Sequence, residues 1–246
     1  MVFHFKHLRM TDSGILLRAF QYMCTARAMA ATYESNRNIC KYVHSVSSGH
    51  EAIQLATAFQ LRPQDFVSPY YRDESLLLGL GFPPFELMEQ LLAKGGDIFS
   101  GGRSYYAHPN FRGGGKPTII HQSSATGMQA IPATGIAQGI AFKEQAGMTE
   151  PGSVVLCSFG DASIEEGEVS EAFQFAVLKK LPIIYLVQDN SWGISVTAAE
   201  SRSMDAFSYA GGFPGMERIK IDGANFEQSF FCMQQVFEYV RKYRKP

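Results

Sequence analysis

The stretch CSFGDASIEEGEVSEAFQFAVLKKLPIIYLVQDNSWGIS, residues 157–195, lies within a region of two short apolar runs separated by one segment of helical spacing. The apolar residues from Val169 to Val177 recur at i, i+3, i+4, i+7 and i+8, and so form one stripe that can pack on a sheet. The runs SVVLCSF and IIYLV are typical of strands that are buried on both faces. The pattern therefore predicts a strand–helix–strand unit whose two strands are parallel neighbours.

Small polar residues follow both predicted strands where each strand ends. Gly160 and Asp161 follow the first strand, and Asp189 and Asn190 follow the second. Because parallel strands end at the same edge of a sheet, we expect Asp161 and Asn190 to converge at a ligand-binding edge. Their oxygens suit Mg²⁺, and the next helix N-terminus suits a phosphate. A second interpretation stands beside this one, in which Asp161 caps the helix and Asn190 makes a turn.

Composition places the chain among ordinary soluble globular proteins, with 246 residues, 46% hydrophobic and 18% charged. One large domain fits this length best, although two small domains would also fit. The net charge is −1, and the only basic cluster is the terminal RKYRK, residues 241–245. This balance argues against a nucleic-acid binder, and the cluster is predicted to be a solvated helix end.

Cysteine spacing and hydropathy give expectations about location. The four cysteines show no CxxC or Cys/His spacing, which argues against structural zinc and a disulfide scaffold and favours a reducing compartment. The opening MVFHFKHLRM lacks the apolar run of a signal peptide, and no window approaches the roughly 18 apolar residues of a membrane span. We therefore expect a cytoplasmic protein with no membrane partner. The cysteines are Cys24, Cys40, Cys157 and Cys232.

The first half of the chain shows helical patterns and one short strand. A long helix with Asp12 or Ser13 as N-cap is predicted for the stretch TDSGILLRAFQYMCTARAMAATYE. A capped helix is predicted for the stretch SSGHEAIQLATAFQL. DFVSPYYRD predicts a strand that ends in a loop, and PPFELMEQLLA predicts a helix that begins at its prolines. The glycine-rich segment from Gly95 to Pro117 has no period and is predicted to be a long surface loop.

A helix rich in small residues is predicted from Ala125 to Gln145. Its apolar residues Ile131, Ile136 and Ile140 can pack either against a partner chain or inside the monomer. With the strand–helix–strand unit, these elements predict an α/β fold with a mostly parallel sheet and helices on both faces. Two phosphate motifs are excluded, because NFRGGGKPT departs from a P-loop at Asn110 and Pro117 and no GxGxxG follows a strand.

The GDAS of residues 160–163 followed by the QDN of residues 188–190 resembles the thiamine-diphosphate motif, which is usually a Gly-Asp-Gly followed by an Asn-Asn. Six stretches of the chain also occur in the order found in alpha subunits of thiamine-dependent 2-oxo acid dehydrogenases. They are GHEA, YYRD, HQSSATGMQAIPATGIA, FGDASIEEGEVSEAFQFA, LPIIYLVQDNSWGIS and IKIDGANF. The resemblance covers roughly residues 11 to 246. Two positions depart from the motif, since Ala162 replaces its last glycine and Asp189 replaces its first asparagine.

The resemblance implies a thiamine-diphosphate site. It makes Asp161, Asn190 and the main-chain oxygen of Trp192 the Mg²⁺ ligands, and it makes His108 a substrate-side residue. An exposed loop histidine is the alternative for His108, and His50 and His121 are predicted to be structural. The other implied cofactor-binding residues are Tyr71 and Arg72 near the diphosphate, Ser124 and Thr126 at the aminopyrimidine, and Gly160, Ala162 and Ser163 at the diphosphate turn.

The family also implies an activity and partners. Such an enzyme decarboxylates a 2-oxo acid and transfers the acyl group to a lipoyl carrier of an acyltransferase core, in an alpha2-beta2 assembly whose beta subunit supplies the activating glutamate. The Ser at position 124 favours a 2-oxoisovalerate-type substrate over pyruvate. A transketolase-like enzyme and a non-catalytic α/β binding module are the alternative functions.

The resemblance implies one thiamine-diphosphate-binding domain over residues 1–246, with an N-terminal helical segment at about 11–45. Family alpha subunits continue past the helix FFCMQQVFEYVRKYRKP into a further strand and a loop that carries a histidine. We therefore expect the chain to be a fragment, or the front of a fused alpha-beta polypeptide.

Overall fold

The computed structural model describes residues 12–40, 45–120 and 123–246, and the opening MVFHFKHLRM lies outside them. No helix within these ranges is long and apolar enough to cross a membrane. The helices of the described residues are α1 (Ser13–Ser35), α2 (Glu51–Ala58), α3 (Glu74–Gly79), α4 (Pro84–Leu91), α5 (Ala130–Gln145), α6 (Gly167–Lys179), α7 (Ala198–Ser201), α8 (Ala206–Ala210) and α9 (Phe226–Tyr243). A 3₁₀ helix, Asp161–Glu165, precedes α6.

The strands form two sheets. The strands are β1 (Phe66–Ser68), β2 (Thr118–Ile119), β3 (Val155–Gly160), β4 (Ile183–Gln188), β5 (Trp192–Gly193) and β6 (Val196–Thr197). One sheet is parallel throughout and has the order β2-β1-β3-β4, whereas the other is an antiparallel β5–β6 hairpin. The predicted α/β class with a parallel sheet is therefore confirmed.

The chain divides into two compact units. The first comprises the described part of Met1–Leu61 with Tyr71–Pro109 and Ile221–Gln235. The second comprises Arg62–Tyr70, the described part of Asn110–Lys220, and Val236–Pro246.

Helices α1, α2 and α3 pack against one another in the first unit. The predicted N-cap of α1 is confirmed, because the side chain of Asp12 accepts hydrogen bonds from the backbone N–H groups of Gly14 and Ile15. All eight residues of α2 are buried. The prediction of a side-chain cap for α2 is wrong, because His50 stands at the N-cap and makes no such bond; instead Glu51 accepts from the backbone N–H of Gly49 at 2.7 Å.

The parallel sheet lies in the second unit and is built around β3, whose six residues are all buried. Its neighbours β1 and β4 run in the same direction on either side, as the strand–helix–strand pattern predicts. Strand β4 differs from the prediction, because Tyr185, Leu186 and Val187 are only half-buried. β4 is the outermost strand of the described sheet, so it has a pairing neighbour on one side only.

Helices α5 and α6 cover this sheet and pack against each other. In α6 the predicted apolar stripe is buried at four of its five positions, Val177 being half-buried. Within the stripe, the ring of Phe173 lies 4.7 Å from that of Tyr185 and 6.4 Å from that of Phe159, measured between ring centroids. These aromatic contacts fix α6 on the strands that carry the polar ends described below.

One predicted helix boundary and one predicted surface loop differ from the structure. Helix α5 begins at Ala130 rather than at Ala125, because the chain makes a turn in which Gly127 has a positive φ of 79°. The segment from Gly95 to Pro117 does lack regular structure, but it is not simply a surface loop, since Phe99, Tyr106 and His108 are buried. Asp97 organises its first turn by accepting hydrogen bonds from three backbone N–H groups.

The basic cluster at the end of α9 is not a solvated helix end. The guanidinium of Arg241 donates to both carboxylate oxygens of the buried Asp65, and Arg244 pairs with Glu144. Asp65 also accepts from the backbone N–H groups of Arg62 and Val154, at 2.8 and 2.9 Å. Its carboxylate therefore joins the turn at Arg62, the residue before β3 and helix α9.

We expect Arg241→Ala to lower the free energy of unfolding by about 3–5 kcal/mol, because it leaves the buried carboxylate of Asp65 without its counter-charge. The control is Lys220→Ala, which removes a cation whose side chain is 62% exposed and pairs with Asp205 at the surface. This control should leave stability nearly unchanged. Urea denaturation measures both, and equal losses in the two variants would contradict the role assigned to Arg241.

Candidate active site

The ends of β3 and β4 lie side by side. Their parallel register pairs Gly160 with Gln188, so Asp161 and the Asp189–Asn190 pair leave the sheet at the same edge. This confirms the predicted convergence of the two strand ends, although they are separated by a whole helix in the sequence.

Asp161 is buried, with only 2% of its surface exposed, so its position at a strand end does not make it a solvent-facing group. It does not act as a side-chain cap of the 3₁₀ helix that it begins. Instead, its Oδ2 accepts a hydrogen bond from Nη2 of Arg202, whose side chain is 6% exposed. The Nε of Arg202 also lies 3.6 Å from Oε1 of Glu165. Asp161 and Arg202 therefore form a buried ion pair.

A second carboxyl group adjoins this pair. Burial raises the pKa of Asp189, and the neighbouring carboxyl of Asp161 acts in the same direction, while Arg202 acts against it. The Oδ1 of Asp189 accepts from the backbone N–H of Ser191 at 2.9 Å. The two strand ends thus bring two carboxyl groups together, with one guanidinium beside them.

Asn190 makes the turn that the second interpretation of the sequence describes. Its Oδ1 accepts from the backbone N–H of Trp192 at 2.9 Å, and Ser191 between them has a φ of 61°. An amide oxygen has two lone pairs, so this bond leaves acceptor capacity for a cation. Trp192 begins the β5–β6 hairpin, which places its main-chain oxygen in that hairpin.

The predicted diphosphate turn is closely packed. A Cβ on Gly160 would lie 2.9 Å from the hydroxyl of Tyr70, and a Cβ on Gly127 would lie 2.9 Å from side-chain atoms of Glu166. Ala162 is half-buried, whereas Ser163 is fully buried and its Oγ has no hydrogen-bond partner among the described residues. A buried hydroxyl without a partner is uncommon, and its hydrogen-bonding capacity suits an anionic ligand at this turn.

These observations test whether the residues fit Mg²⁺ and a diphosphate. The carboxylate of Asp161 already holds a cation, in the form of the Arg202 guanidinium, and Asn190 offers a hard oxygen donor. Ser163 provides an unused polar group beside the glycine turn. Within the described ranges there is no group of three or more His, Cys, Asp or Glu side chains that could hold a metal. The edge thus fits a cation held by one carboxylate, one amide and main-chain oxygen, with ligand oxygens completing its shell.

The sequence predictions for this site omit Arg202. A signal was present, because two carboxylates that converge at buried strand ends require a cation. Arg202 is the only Lys or Arg between Lys180 and Arg218, but Lys179 and Lys180 are nearer to both aspartates along the chain, so sequence distance does not single it out. Its place beside Asp161 depends on the fold of the intervening hairpin, which the sequence pattern did not predict.

Ser124 and Thr126 are exposed and lie in the turn that precedes α5. Because α5 begins only at Ala130, Thr126 is outside the helix that was predicted to contain it, and Ser124 precedes that helix as expected. The backbone N–H of Ala125, between them, donates to Oγ of Ser123. Their contact with a cofactor stays a prediction.

The remaining predicted site residues lie in the first unit. Nη2 of Arg72 is 3.4 Å from the hydroxyl of Tyr71, and its guanidinium lies 5.7 Å from the centre of that ring. The main-chain oxygen of Arg72 accepts from Oγ of Ser47 and Nε2 of Gln54. These bonds fix the backbone at Arg72 and leave its role at a diphosphate as a prediction.

His108 is buried, which contradicts the alternative of an exposed loop histidine. Its Nδ1 lies 2.8 Å from the main-chain oxygen of Tyr106, and since a carbonyl can only accept, Nδ1 carries the proton. The ring of Tyr105 meets the imidazole edge-on at 5.5 Å, and Nε2 of Gln90 donates to the main-chain oxygen of His108. His50 is also buried, as expected of a structural histidine, whereas His121 lies outside the described residues.

Similarity to known proteins extends over most of the chain. A family described as dehydrogenase E1 component matches residues 21–246. The 2-oxoisovalerate dehydrogenase subunit alpha of Bacillus subtilis is 33% identical over 205 residues, which cover 80% of this chain and 58% of that protein. The pyruvate dehydrogenase E1 component subunit alpha of Porphyra purpurea is 31% identical over 248 residues, which cover 98% of this chain and 67% of that protein.

A mitochondrial 2-oxoisovalerate dehydrogenase subunit alpha 1 of Arabidopsis thaliana is 28% identical over 233 residues, which cover 94% of this chain and 47% of that protein. The chain thus spans only about half to two thirds of the length of these relatives. The resemblance recognised from the residue motifs is confirmed. Because the match extends from residue 21 to residue 246, this chain belongs to the dehydrogenase E1 component family.

Proposed function

We propose that this chain is the cofactor-holding part of a thiamine-diphosphate-dependent 2-oxo acid dehydrogenase. The observation that carries this proposal is the edge where β3 and β4 end, at which a buried Asp161 is held by a cation beside the unpartnered hydroxyl of Ser163. Membership of the dehydrogenase E1 component family supports the same conclusion. The nearly complete burial of Asp161 explains why a cation is needed there.

Each predicted site residue has a distinct role in this proposal. Asp161, Asn190 and the main-chain oxygen of Trp192 would hold Mg²⁺, which would offset the negative charge of the diphosphate. The small residues Gly160, Ala162 and Ser163 allow backbone N–H groups to approach the phosphate oxygens. The other cofactor-binding residues are Tyr71, Arg72, Ser124 and Thr126.

The bound thiamine diphosphate would supply a thiazolium carbon that adds to the 2-oxo carbon of the substrate and accepts the electron pair released with CO₂. His108 acts on the substrate side in this proposal. Its Nδ1 is fixed as a donor to the main-chain oxygen of Tyr106, so Nε2 is the nitrogen that can accept a proton. The acyl product passes to the lipoyl carrier of an acyltransferase core.

The assembly requires a beta subunit or a beta-like region. The relatives described above carry the name subunit alpha. The family resemblance implies that the activating glutamate belongs to the partner. On α5, Ile140 is buried within the unit, Ile136 is half-buried and Ile131 is exposed, as is Phe142. The exposed residues of α5 support an alpha2-beta2 assembly.

All four cysteines are free thiols, which supports a cytoplasmic location for the assembly.

The proposed substrate is a 2-oxoisovalerate-type acid, with pyruvate as the alternative. The support is the serine at position 124, which resembles branched-chain enzymes. The named relatives include both a 2-oxoisovalerate dehydrogenase and a pyruvate dehydrogenase, at similar identities of 33% and 31%.

A buried glutamate organises the loop that carries His108. Oε2 of Glu74 accepts from the hydroxyl of Tyr33 at 2.8 Å and from the hydroxyl of Tyr106. Burial raises the pKa of Glu74, although the two tyrosine hydroxyls act against this, and burial also raises the pKa of both tyrosines. The phenols therefore stay protonated and donate, which ties Tyr106, and through its main-chain oxygen His108, to helix α3.

We expect Asp161→Asn to abolish Mg²⁺-dependent binding of thiamine diphosphate, because an amide cannot supply the negative charge that the metal requires. The asparagine keeps the size of the aspartate, so the secondary structure should persist. The matched control is Asp205→Asn, at a carboxylate that caps α8 at the surface. Calorimetric titration measures both, and wild-type affinity in Asp161→Asn would contradict the metal assignment.

We expect Glu74→Ala to lower the free energy of unfolding by about 2–4 kcal/mol, because two buried phenol hydroxyls lose their acceptor. Glu74→Gln keeps an acceptor and should cost much less. Urea denaturation gives the stability, and ¹⁵N NMR of the imidazole reports whether Nδ1 of His108 still carries the proton. Equal losses in the two variants would show that the acceptor oxygen is not what matters.

We expect the isolated chain to be catalytically silent and to become active when a beta chain is added. Decarboxylation with an artificial electron acceptor measures this, first with 2-oxoisovalerate and then with pyruvate. Substantial activity from the chain alone would refute the shared site. A clear preference for pyruvate in the mixture would overturn only the proposed substrate.

A further inference from the structure

We propose that Arg202 competes with the divalent cation for Asp161 and thereby sets the cation affinity of the site. This inference rests on the proposed function, since it assumes that Asp161 is a metal ligand. Its basis is direct, because the guanidinium of Arg202 donates to the carboxylate oxygen Oδ2 of Asp161 and both side chains are almost fully buried.

The segment 191–202 brings Arg202 to this position and is folded by its own local bonds. The hairpin pairs Trp192 with Thr197, and Thr197 and Glu200 form a capping box at the start of α7. The backbone N–H of Ala198 donates to the oxygen of Ser191, and that of Arg202 donates to the oxygen of Ala198. The segment is therefore a compact unit that ends in Arg202.

The segment 191–202 has little apolar anchorage. Ile194 at the hairpin turn is 92% exposed, Trp192 is also exposed, and α7 has no buried residue. By contrast, only 6% of the Arg202 side chain is exposed, and its ion pair with Asp161 holds the end of the segment in place. Few buried apolar contacts oppose a local movement of α7 and Arg202 at the end of this segment, so exchange of Arg202 for another cation requires no change in the sheet.

The charges around Asp161 prevent the Arg202 guanidinium and a divalent metal ion from binding its carboxylate together. Arg202 faces Asp161 and Glu165, and Asp189 adjoins Asp161. A guanidinium and Mg²⁺ on one carboxylate would repel each other strongly in a buried setting. Removing every cation is also unfavourable, because it leaves the buried carboxylate of Asp161 unpaired. The site is therefore occupied by one cation or by the other.

Arg202 has an unused donor that suits the exchange. Its Nη1 is buried and has no hydrogen-bond partner among the described residues. An anionic oxygen that enters with the metal can accept a hydrogen bond from Nη1. This bond would replace the hydrogen bond that the guanidinium loses when Asp161 binds the metal. The arrangement thus favours arrival of the metal together with a diphosphate over arrival of the metal alone.

The test uses Mn²⁺ as the probe, because electron paramagnetic resonance counts free Mn²⁺ directly without an activity assay. In the absence of thiamine diphosphate, we expect the full chain with Arg202→Gln to bind Mn²⁺ at least tenfold more tightly than the wild type. Its melting temperature without metal should fall, and Mn²⁺ should restore more of it than in the wild type. The matched control is Arg218→Gln, which removes an arginine that donates to the main-chain oxygen of Phe207, and it should leave Mn²⁺ affinity unchanged.

A second variant, Arg202→Lys, keeps the charge but loses the planar fork, and it should give an intermediate Mn²⁺ affinity. Unchanged affinity in both Arg202 variants, while Asp161→Asn loses the site, would overturn this inference and leave the proposed function intact. Mn²⁺ binding that does not depend on Asp161, with or without thiamine diphosphate, would overturn the proposed function itself.

Discussion

The buried carboxylate of Asp161 needs a cation beside it, and the end of β3 depends on that requirement being met. The strand delivers Asp161 into a site where only 2% of its surface reaches solvent, and β4 delivers Asp189 next to it. Parallel pairing leaves no freedom to separate the two groups, since Gly160 and Gln188 are register partners. Either the protein or a ligand must therefore balance the charge at this edge.

Much of the fold could be predicted from local patterns. The strand–helix–strand unit follows from two apolar runs and a stripe of helical period, because both signals lie within one short stretch of chain. The start of α5 was missed, since the turn at Gly127 depends on how residues pack around it. The burial of the loop carrying His108 was missed for the same reason, because it depends on Glu74, which lies far away in the sequence.

The acidic and amide residues of the candidate site could be predicted from the sequence, but the arginine that pairs with Asp161 could not. Asp161 and Asn190 follow strands, so topology alone brings them together. Arg202 and Arg241 each satisfy a buried aspartate that is distant along the chain, and no periodicity marks such a pairing. A carboxylate that is predicted to be buried implies that a cationic side chain from elsewhere in the sequence lies beside it. This rule indicates that each buried aspartate has an Arg or Lys partner, although it does not say which one.

The contact between Gly160 and Tyr70 constrains how the sequence can diverge. The Tyr70 hydroxyl lies 2.9 Å from the position that a Cβ at residue 160 would take, so residue 160 cannot gain a side chain while Tyr70 keeps its place. A lineage that replaces Tyr70 with a smaller residue opens space for a side chain at position 160. The two positions should therefore change together among descendants of a common ancestor, although they lie far apart in the chain.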